Sequence, residues 1–185
     1  TEVRQPFRSG KTMRALGNGY CQKTRFGGVR MKQTSLCYLE RGGRYLLLHR
    51  VKKDGDENRD KWIGVGGKFE DGESPEDCVC REVREETGLE LTKYRYCGII
   101  TFVSDRWETE YMHLFHATDF CGTLRDCNEG QLEWVDKTRL PELQQWAGDR
   151  IFLELMQKNV PFFSLKLRYA GEALCEAVLN GRALL

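Results

Sequence analysis

Three glutamates at helical spacing are the residues of this chain best suited to chemistry. Glu85 and Glu86 follow Glu82 by three and four positions, so a helix would place all three carboxylates on one side. Like charges at this spacing destabilise a helix, and the helix dipole disfavours acids near its C-terminal end. A divalent cation such as Mg²⁺ or Mn²⁺, which prefers carboxylate oxygens, would offset the repulsion. An acidic helix face exposed to water is the alternative interpretation.

A glycine-rich loop precedes these glutamates. Gly64, Gly66 and Gly67 allow the backbone to approach a ligand closely, and they leave amides and carbonyls free to contact phosphate or metal. Lys68 places a cation beside them. A tight turn without any ligand could use the same glycines. The loop therefore indicates a ligand site only when it is considered together with the acidic helix.

The elements that must position these residues alternate between strands and helices. Ser74-Pro75 is typical of a helix start, and the helix is predicted to run to Thr87, with Gly88 ending it. Arg41-Gly42-Gly43 predicts a hairpin. The remaining predicted elements are strands at Thr34–Glu40, Arg44–Val51, Tyr94–Val103, Glu110–Thr118, Gln131–Val135 and Phe162–Tyr169, a helical stretch from Pro141, a helix at Asp149–Gln157, and a strand or short helix after Ala170-Gly171. This interleaving predicts an α/β sandwich.

Length and charge restrict the class of protein. The 185 residues suit one domain, which we expect at residues 31–185 behind a basic, poorly ordered arm at 1–30. No apolar run is long enough to cross a membrane, so no membrane role is expected. A net charge of +1 provides no overall field for a nucleic acid polymer. The local imbalance is larger, because residues 67–90 hold nine acidic residues against three basic ones, and this block requires a cationic partner.

The eight cysteines do not resemble a disulfide scaffold or a zinc site. They are scattered, none forms a C-x-x-C pair, and none has a histidine at zinc-binding spacing. There is no signal-peptide apolar region. We therefore expect reduced thiols in a cytoplasmic protein.

The loop and the helix together resemble a known family motif. Gly67, five residues, Glu73, seven residues and then Arg81-Glu82-Val83-Arg84-Glu85-Glu86-Thr87-Gly88-Leu89 resemble the complete Nudix box, G-x5-E-x7-R-E-U-x-E-E-x-G-U, in which U is aliphatic. The resemblance extends from about Gln33 to about Tyr169. It implies an α/β Nudix fold, an α/β/α sandwich with a central mixed sheet.

The resemblance also implies an activity, the hydrolysis of a nucleoside diphosphate linked to another group with Mg²⁺ or Mn²⁺. By the family pattern, Glu85, Glu86 and the Gly67 carbonyl are metal ligands, and Glu82 is a ligand or the general base. Arg81 would hold a glutamate in place. Divalent ions of this kind bridge phosphate oxygens and activate a water for in-line attack.

Stretches outside the box resemble the MutT-like 8-oxo-dGTP diphosphatases, which hydrolyse oxidised purine nucleoside triphosphates to monophosphate and pyrophosphate. These stretches are 61–68, 98–102, 126–130, 132–135, 146–149 and 161–163. The likeness implies that Glu129 is a further metal ligand or base, and that Lys68 contacts the substrate. It further implies that Phe102, Trp146 and Asp149 contact the base. The alternatives are an exposed loop acid for Glu129, a core residue for Trp146 and a helix N-cap for Asp149.

Two departures leave the base selectivity open. Ile63 stands where mammalian members carry Asn, and Gly148-Asp149 stands where they carry two aspartates, so unmodified nucleotides are possible substrates. A hydrolase of ADP-ribose or a dinucleotide is an alternative, but no proline lies between Pro75 and Pro141, where the ADP-ribose subgroup tends to have one. A non-catalytic nucleotide-binding module is less favoured, because every box glutamate is present. The oligomeric state is left open.

Overall fold

A computed structural model describes residues 31–51 and 58–185. The arm predicted at 1–30 lies outside the described residues. The strands are β1 (Lys32–Arg41), β2 (Arg44–His49), β3 (Trp62–Ile63), β4 (Leu89–Ser104), β5 (Glu110–Gly122), β6 (Gln131–Asp136), β7 (Phe163–Ala170), β8 (Ala173–Leu179) and β9 (Arg182–Ala183). The helices are α1 (Pro75–Thr87) and α2 (Asp149–Gln157), and a 3-10 helix covers Lys137–Glu142.

The strands of the described residues form one mixed sheet. Its order is β3-β2-β1-β5-β4-β7-β8-β9, and β6 pairs with β2 beside this path. The β1–β5 and β4–β7 pairs are parallel, and the others are antiparallel. The parallel β1–β5 pair places Lys32 opposite Glu110 and Thr34 opposite Met112. Paired residues share a face of the sheet, so this register decides which side chains of β5 meet those of β1.

One helix covers each face of the sheet, which confirms the predicted sandwich. Val79 and Val83 of α1 pack into a buried cluster with Cys37 and Phe115 on one face. Phe152 and its neighbours in α2 pack into a second cluster on the opposite face. Each helix therefore buries an apolar stripe against the sheet, which is the main source of its stability.

Helix α1 has the predicted boundaries because both of its ends are capped. The Ser74 side chain accepts a hydrogen bond from the backbone N–H of Asp77, and the Asp77 carboxylate accepts one from the Ser74 N–H. Gly88 takes a left-handed conformation at φ 75°, which suits glycine, and its N–H donates to the Arg84 carbonyl. These caps fix the point on the chain at which the helix begins and ends.

In the C-terminal half of the chain, one predicted element is wrong and one open alternative is decided. The helical stretch predicted to begin at Pro141 is wrong, since Pro141 lies inside a 3-10 helix that starts at Lys137. The reason is a cap further upstream, where the Asp136 side chain accepts from the Thr138 N–H and starts the turn early. After the Ala170-Gly171 turn the chain forms strand β8, not a short helix.

The described cysteines form no disulfide bonds with one another. Cys21 lies outside the described residues. Across residues 31–51 and 58–185, no helix has the length and apolar character needed to span a membrane.

Candidate active site

The glycine-rich loop lies against the first half of β1. The Ser35 N–H donates to the Gly67 carbonyl at 2.9 Å, and Cys37 and Val65 exchange backbone hydrogen bonds. A Cβ added to Gly66 would lie 2.1 Å from the Ser35 carbonyl oxygen, and one added to Gly67 would lie 2.5 Å from the Glu82 carboxylate. The backbone of β1 therefore leaves no room for a side chain at position 66, whereas a side chain at position 67 would displace the Glu82 carboxylate.

Arg81 joins the loop to the helix. Its guanidinium donates to both carboxylate oxygens of Glu73, at 2.6 and 2.9 Å, and to the Lys68 carbonyl at 3.0 Å. It also donates to Glu82 at 2.8 Å and to Glu85 at 3.3 Å. Its hydrogen bonds hold the pKa of Glu73 at about 2. Arg81 therefore holds the carboxylates of the loop and the helix together, as the sequence predicts.

Glu82 and Glu86 lie at the wall of a cavity, and burial dominates their electrostatics. Burial raises the pKa of Glu86 to about 8, even though the Gly66 N–H donates to its carboxylate at 3.0 Å. Burial also raises the pKa of Glu82, against the opposing effect of Arg81. The negative charge of Glu129 contributes to both shifts. A cation bound among these oxygens would remove this penalty, because it favours the ionised carboxylates.

Glu85 and Glu129 extend the acidic group from opposite sides. The Glu85 side chain is 58% exposed and is held by Arg81. Glu129 forms an ion pair with Arg50, a residue that the sequence analysis did not single out. Among the described residues, no three acidic, cysteine or histidine side chains are grouped so that they could hold a metal ion. The predicted ligands have the right oxygen chemistry, but Glu85 and Glu129 must turn away from their arginines to act together with Glu82 and Glu86.

One cavity of about 510 Å³ contains most of the predicted site. Its lining includes eight of the ten predicted residues: Gly67, Lys68, Glu82, Glu86, Phe102, Glu129, Trp146 and Asp149. The other two, Arg81 and Glu85, stand outside the lining, although Arg81 contacts Glu82 directly. A volume of this size can take a nucleotide-sized ligand.

Aromatic rings form another part of the cavity wall. Trp146 is only 6% exposed and contacts Phe102, Trp107 and Tyr169 at centroid distances of 5.5, 5.9 and 5.0 Å. Its indole N–H donates to the Asn58 side chain at 2.8 Å. Trp146 is therefore a core residue that also lines the cavity, and its contact with a base stays a prediction.

Asp149 is a buried carboxylate in the same wall. It is the first residue of α2, but Gly148 holds the N-cap position and no side chain caps the helix, so the N-cap alternative is wrong. Burial raises the pKa of Asp149 to about 7, against the opposing effects of the Trp146 backbone and of Lys61. Near neutral pH this side chain can therefore either donate or accept a hydrogen bond.

The raised pKa of Asp149 predicts a pH-dependent loss of stability. Below about pH 4 the Asp149 carboxyl is protonated in both the folded and the unfolded chain. Between about pH 4 and pH 7 only the unfolded chain loses this proton, so the free energy of unfolding falls as the pH rises. Asp149→Asn removes this titration. Urea unfolding at pH 5 and pH 8 should show the wild type losing about 2–3 kcal/mol more than the variant, because about two pH units of this interval lie between the two pKa values. Equal losses in the two proteins would contradict the assignment.

Sequence reasoning missed several polar residues of the cavity. Lys32, Thr34 and Arg50, on β1 or just after β2, and Glu110 on β5 all line it. Lys32 and Thr34 come before Leu36 and Tyr38 at alternating positions on one face of β1. A polar residue on the same strand face as these apolar side chains was the signal in the sequence that could have identified this part of the cavity. The β1–β5 pairing that brings these residues together cannot be deduced from local sequence patterns.

Comparison with known proteins decides the family. The model of the NUDIX domain matches residues 30–156. The chain belongs to the Nudix family. A Bacillus subtilis protein described as an uncharacterised Nudix hydrolase, YvcI, is 32% identical over 134 residues, which cover 70% of this chain and 81% of that protein. The oxidized purine nucleoside triphosphate hydrolase of Danio rerio is 35% identical over 133 residues, covering 71% and 83%.

Solved Nudix structures have the same fold. The MutT protein from Bacillus halodurans superposes with a TM-score of 0.72 at 26% identity, covering 80% of this chain and 97% of that one. This confirms the predicted fold and the predicted membership of the family. The Nudix chain described here is an enzyme, a hydrolase of the kind that generally requires a divalent metal ion and acts on nucleotides.

Proposed function

We propose that this Nudix hydrolase converts a purine nucleoside triphosphate, above all 8-oxo-dGTP or a related oxidised purine, to the monophosphate and pyrophosphate. One observation carries the proposal. Half-buried carboxylates, Glu82 and Glu86, and aromatic side chains, Phe102 and Trp146, line the same cavity. Such a cavity suits a ligand with both a charged phosphate chain and a flat base. The similarity to the zebrafish enzyme supports this choice of substrate.

The metal would be held by residues already placed around the cavity. Glu82, Glu85, Glu86 and Glu129 would supply carboxylate oxygens, and Gly67 its carbonyl. That carbonyl already accepts from the Ser35 N–H, and the Cys78 thiol lies 3.7 Å away, so a metal would displace the weaker contact. Bound Mg²⁺ or Mn²⁺ would neutralise phosphate charge and acidify the attacking water.

The chain's own side chains would divide the remaining work. Lys68, on the cavity wall beside Gly67, would attract the phosphate chain. Arg81 would keep Glu82 oriented through its 2.8 Å hydrogen bond. Glu82 or Glu129 would accept the proton of the attacking water. Phe102 and Trp146 would pack against the base, and Asp149 would bind its edge.

A nucleotide panel tests this function. Purified protein is incubated with 8-oxo-dGTP, the unmodified nucleoside triphosphates and ADP-ribose, each with Mg²⁺, with Mn²⁺ or with EDTA, and products are separated by chromatography. We expect monophosphate and pyrophosphate from 8-oxo-dGTP, and no turnover in EDTA, because phosphoryl transfer loses its charge neutralisation. Turnover of ADP-ribose alone would select the other hydrolase class. Nucleotide binding without any turnover would select the non-catalytic module.

A further inference from the structure

Glu110 is a buried carboxylate on the cavity wall that the proposed chemistry does not use. It begins β5 and is 8% exposed. The Thr34 hydroxyl donates to its Oε1 at 2.6 Å, and the Lys32 ammonium donates to its Oε2 at 2.8 Å. Each carboxylate oxygen is therefore held by one donor from β1.

The anchoring leaves acceptor capacity on both oxygens. An ionised carboxylate offers about four acceptor positions, and Thr34 and Lys32 take one on each oxygen. The positions that remain form two neighbouring acceptors on a group that cannot rotate freely. Such a group matches a partner that presents two adjacent N–H donors.

Glu110 stands beside the aromatic part of the wall. The β4–β5 register places it directly opposite Phe102, whose ring lies 5.5 Å from that of Trp146. Trp107 lines the same part of the chain's cavity and contacts Trp146. The carboxylate is therefore next to the rings that would hold the base.

We propose that Glu110 determines base specificity by accepting two hydrogen bonds from a guanine, one from N1–H and one from the 2-amino group. Guanine and 8-oxoguanine both present this pair of donors. Hypoxanthine lacks the 2-amino donor, and adenine has a single amino donor next to an acceptor nitrogen, which a carboxylate repels. This inference rests on the proposed function and names the base class that its site prefers.

Lys32 and Thr34 act as positioning residues in this scheme. Burying an unpaired carboxylate is costly, and the ion pair with the Lys32 ammonium at 2.8 Å provides Glu110 with a partner next to the rings. The Thr34 hydroxyl fixes the rotation of the carboxylate from an adjacent strand. Preorganised acceptors of this kind discriminate strongly, because a ligand that lacks the matching donor leaves them unpaired.

Binding of dGMP and dIMP to the full chain tests the inference without relying on turnover. Isothermal titration should show dGMP binding about 10- to 100-fold more tightly than dIMP to the wild type. In Glu110→Gln the two ligands should bind within about 3-fold of each other, because the amide offers one acceptor oxygen and a donor that opposes the base. Glu90→Gln, an exposed change on β4, is the control and should keep the wild-type ratio.

The possible outcomes separate the two proposals. Equal binding of dGMP and dIMP by the wild type overturns the role of Glu110, and this comparison requires no variant to fold. A Glu110→Gln protein that keeps the wild-type ratio also overturns it. Failure to hydrolyse any nucleoside triphosphate would instead overturn the proposed function, whatever the binding ratio.

Discussion

Glu85→Gln should lower kcat by about 1,000-fold with almost no change in thermal stability. Substitution of a side chain that is 58% exposed normally alters stability by less than about 0.5 kcal/mol. A large kinetic effect is expected only because the carboxylate would bind the metal, whose stabilisation of the transition state amounts to several kcal/mol. Steady-state kinetics with 8-oxo-dGTP at saturating Mg²⁺ and a melting curve provide the two measurements.

Glu76→Gln is the matched control for this prediction. It makes the same chemical change on the same helix, but Glu76 is exposed in the first turn, away from the cavity. Its kcat should stay within about 2-fold of the wild type, since surface changes away from a site are nearly neutral. Normal turnover in Glu85→Gln would remove Glu85 from the predicted metal ligands.

Arg81→Met should damage both stability and activity. The guanidinium is 16% exposed and holds three carboxylates and one carbonyl, so its loss leaves Glu73, Glu82 and Glu85 as neighbouring unpaired anions. Breaking a largely buried group of this kind costs about 2–3 kcal/mol, which corresponds to a fall in Tm of roughly 4–12 °C. We also expect kcat to fall by about 100-fold, because Glu82 loses its orientation. Calorimetry and steady-state kinetics measure the two effects.

Arg84→Met makes the same substitution at an exposed position of α1. It should change Tm by no more than about 2 °C and leave kcat unaltered, since exposed arginines contribute little. If Arg81→Met resembled Arg84→Met in both measurements, the network around Arg81 would have no role in holding the site.

Local sequence was enough to predict helix α1 and the residues on it. Ser74, Pro75 and Gly88 act through the backbone of their own turn, so their effects depend on residues a few positions away. The positions of the glutamates on one side of α1 likewise depend only on their spacing within the helix. Glycine at positions 66 and 67 was also a sound signal, although the reason for it, the lack of room against Ser35 and Glu82, appears only in the fold.

The helix predicted to begin at Pro141 was wrong because Asp136, five residues earlier, caps a different helix. Pro141 is typical of a helix start, yet Asp136 starts a 3-10 helix before it is reached. A proline near the end of such a short helix is tolerated when its missing N–H is not required there. Asp136 was the competing signal in the sequence, because its side chain can accept a hydrogen bond from the backbone N–H of Thr138 two residues later. As a sequence signal for a helix start, it was weaker than the proline.

The sequence alone determined the family, the capped helix and the carboxylates that it carries, because these depend on spacing within a few turns of chain. Tertiary structure alone decided which side chains share the cavity. Lys32 and Thr34 meet Glu110 across 76 to 78 positions of sequence through the parallel β1–β5 register. The physical reason is the nature of strand pairing, whose partner and register are set by burial of the whole sheet and not by neighbouring residues.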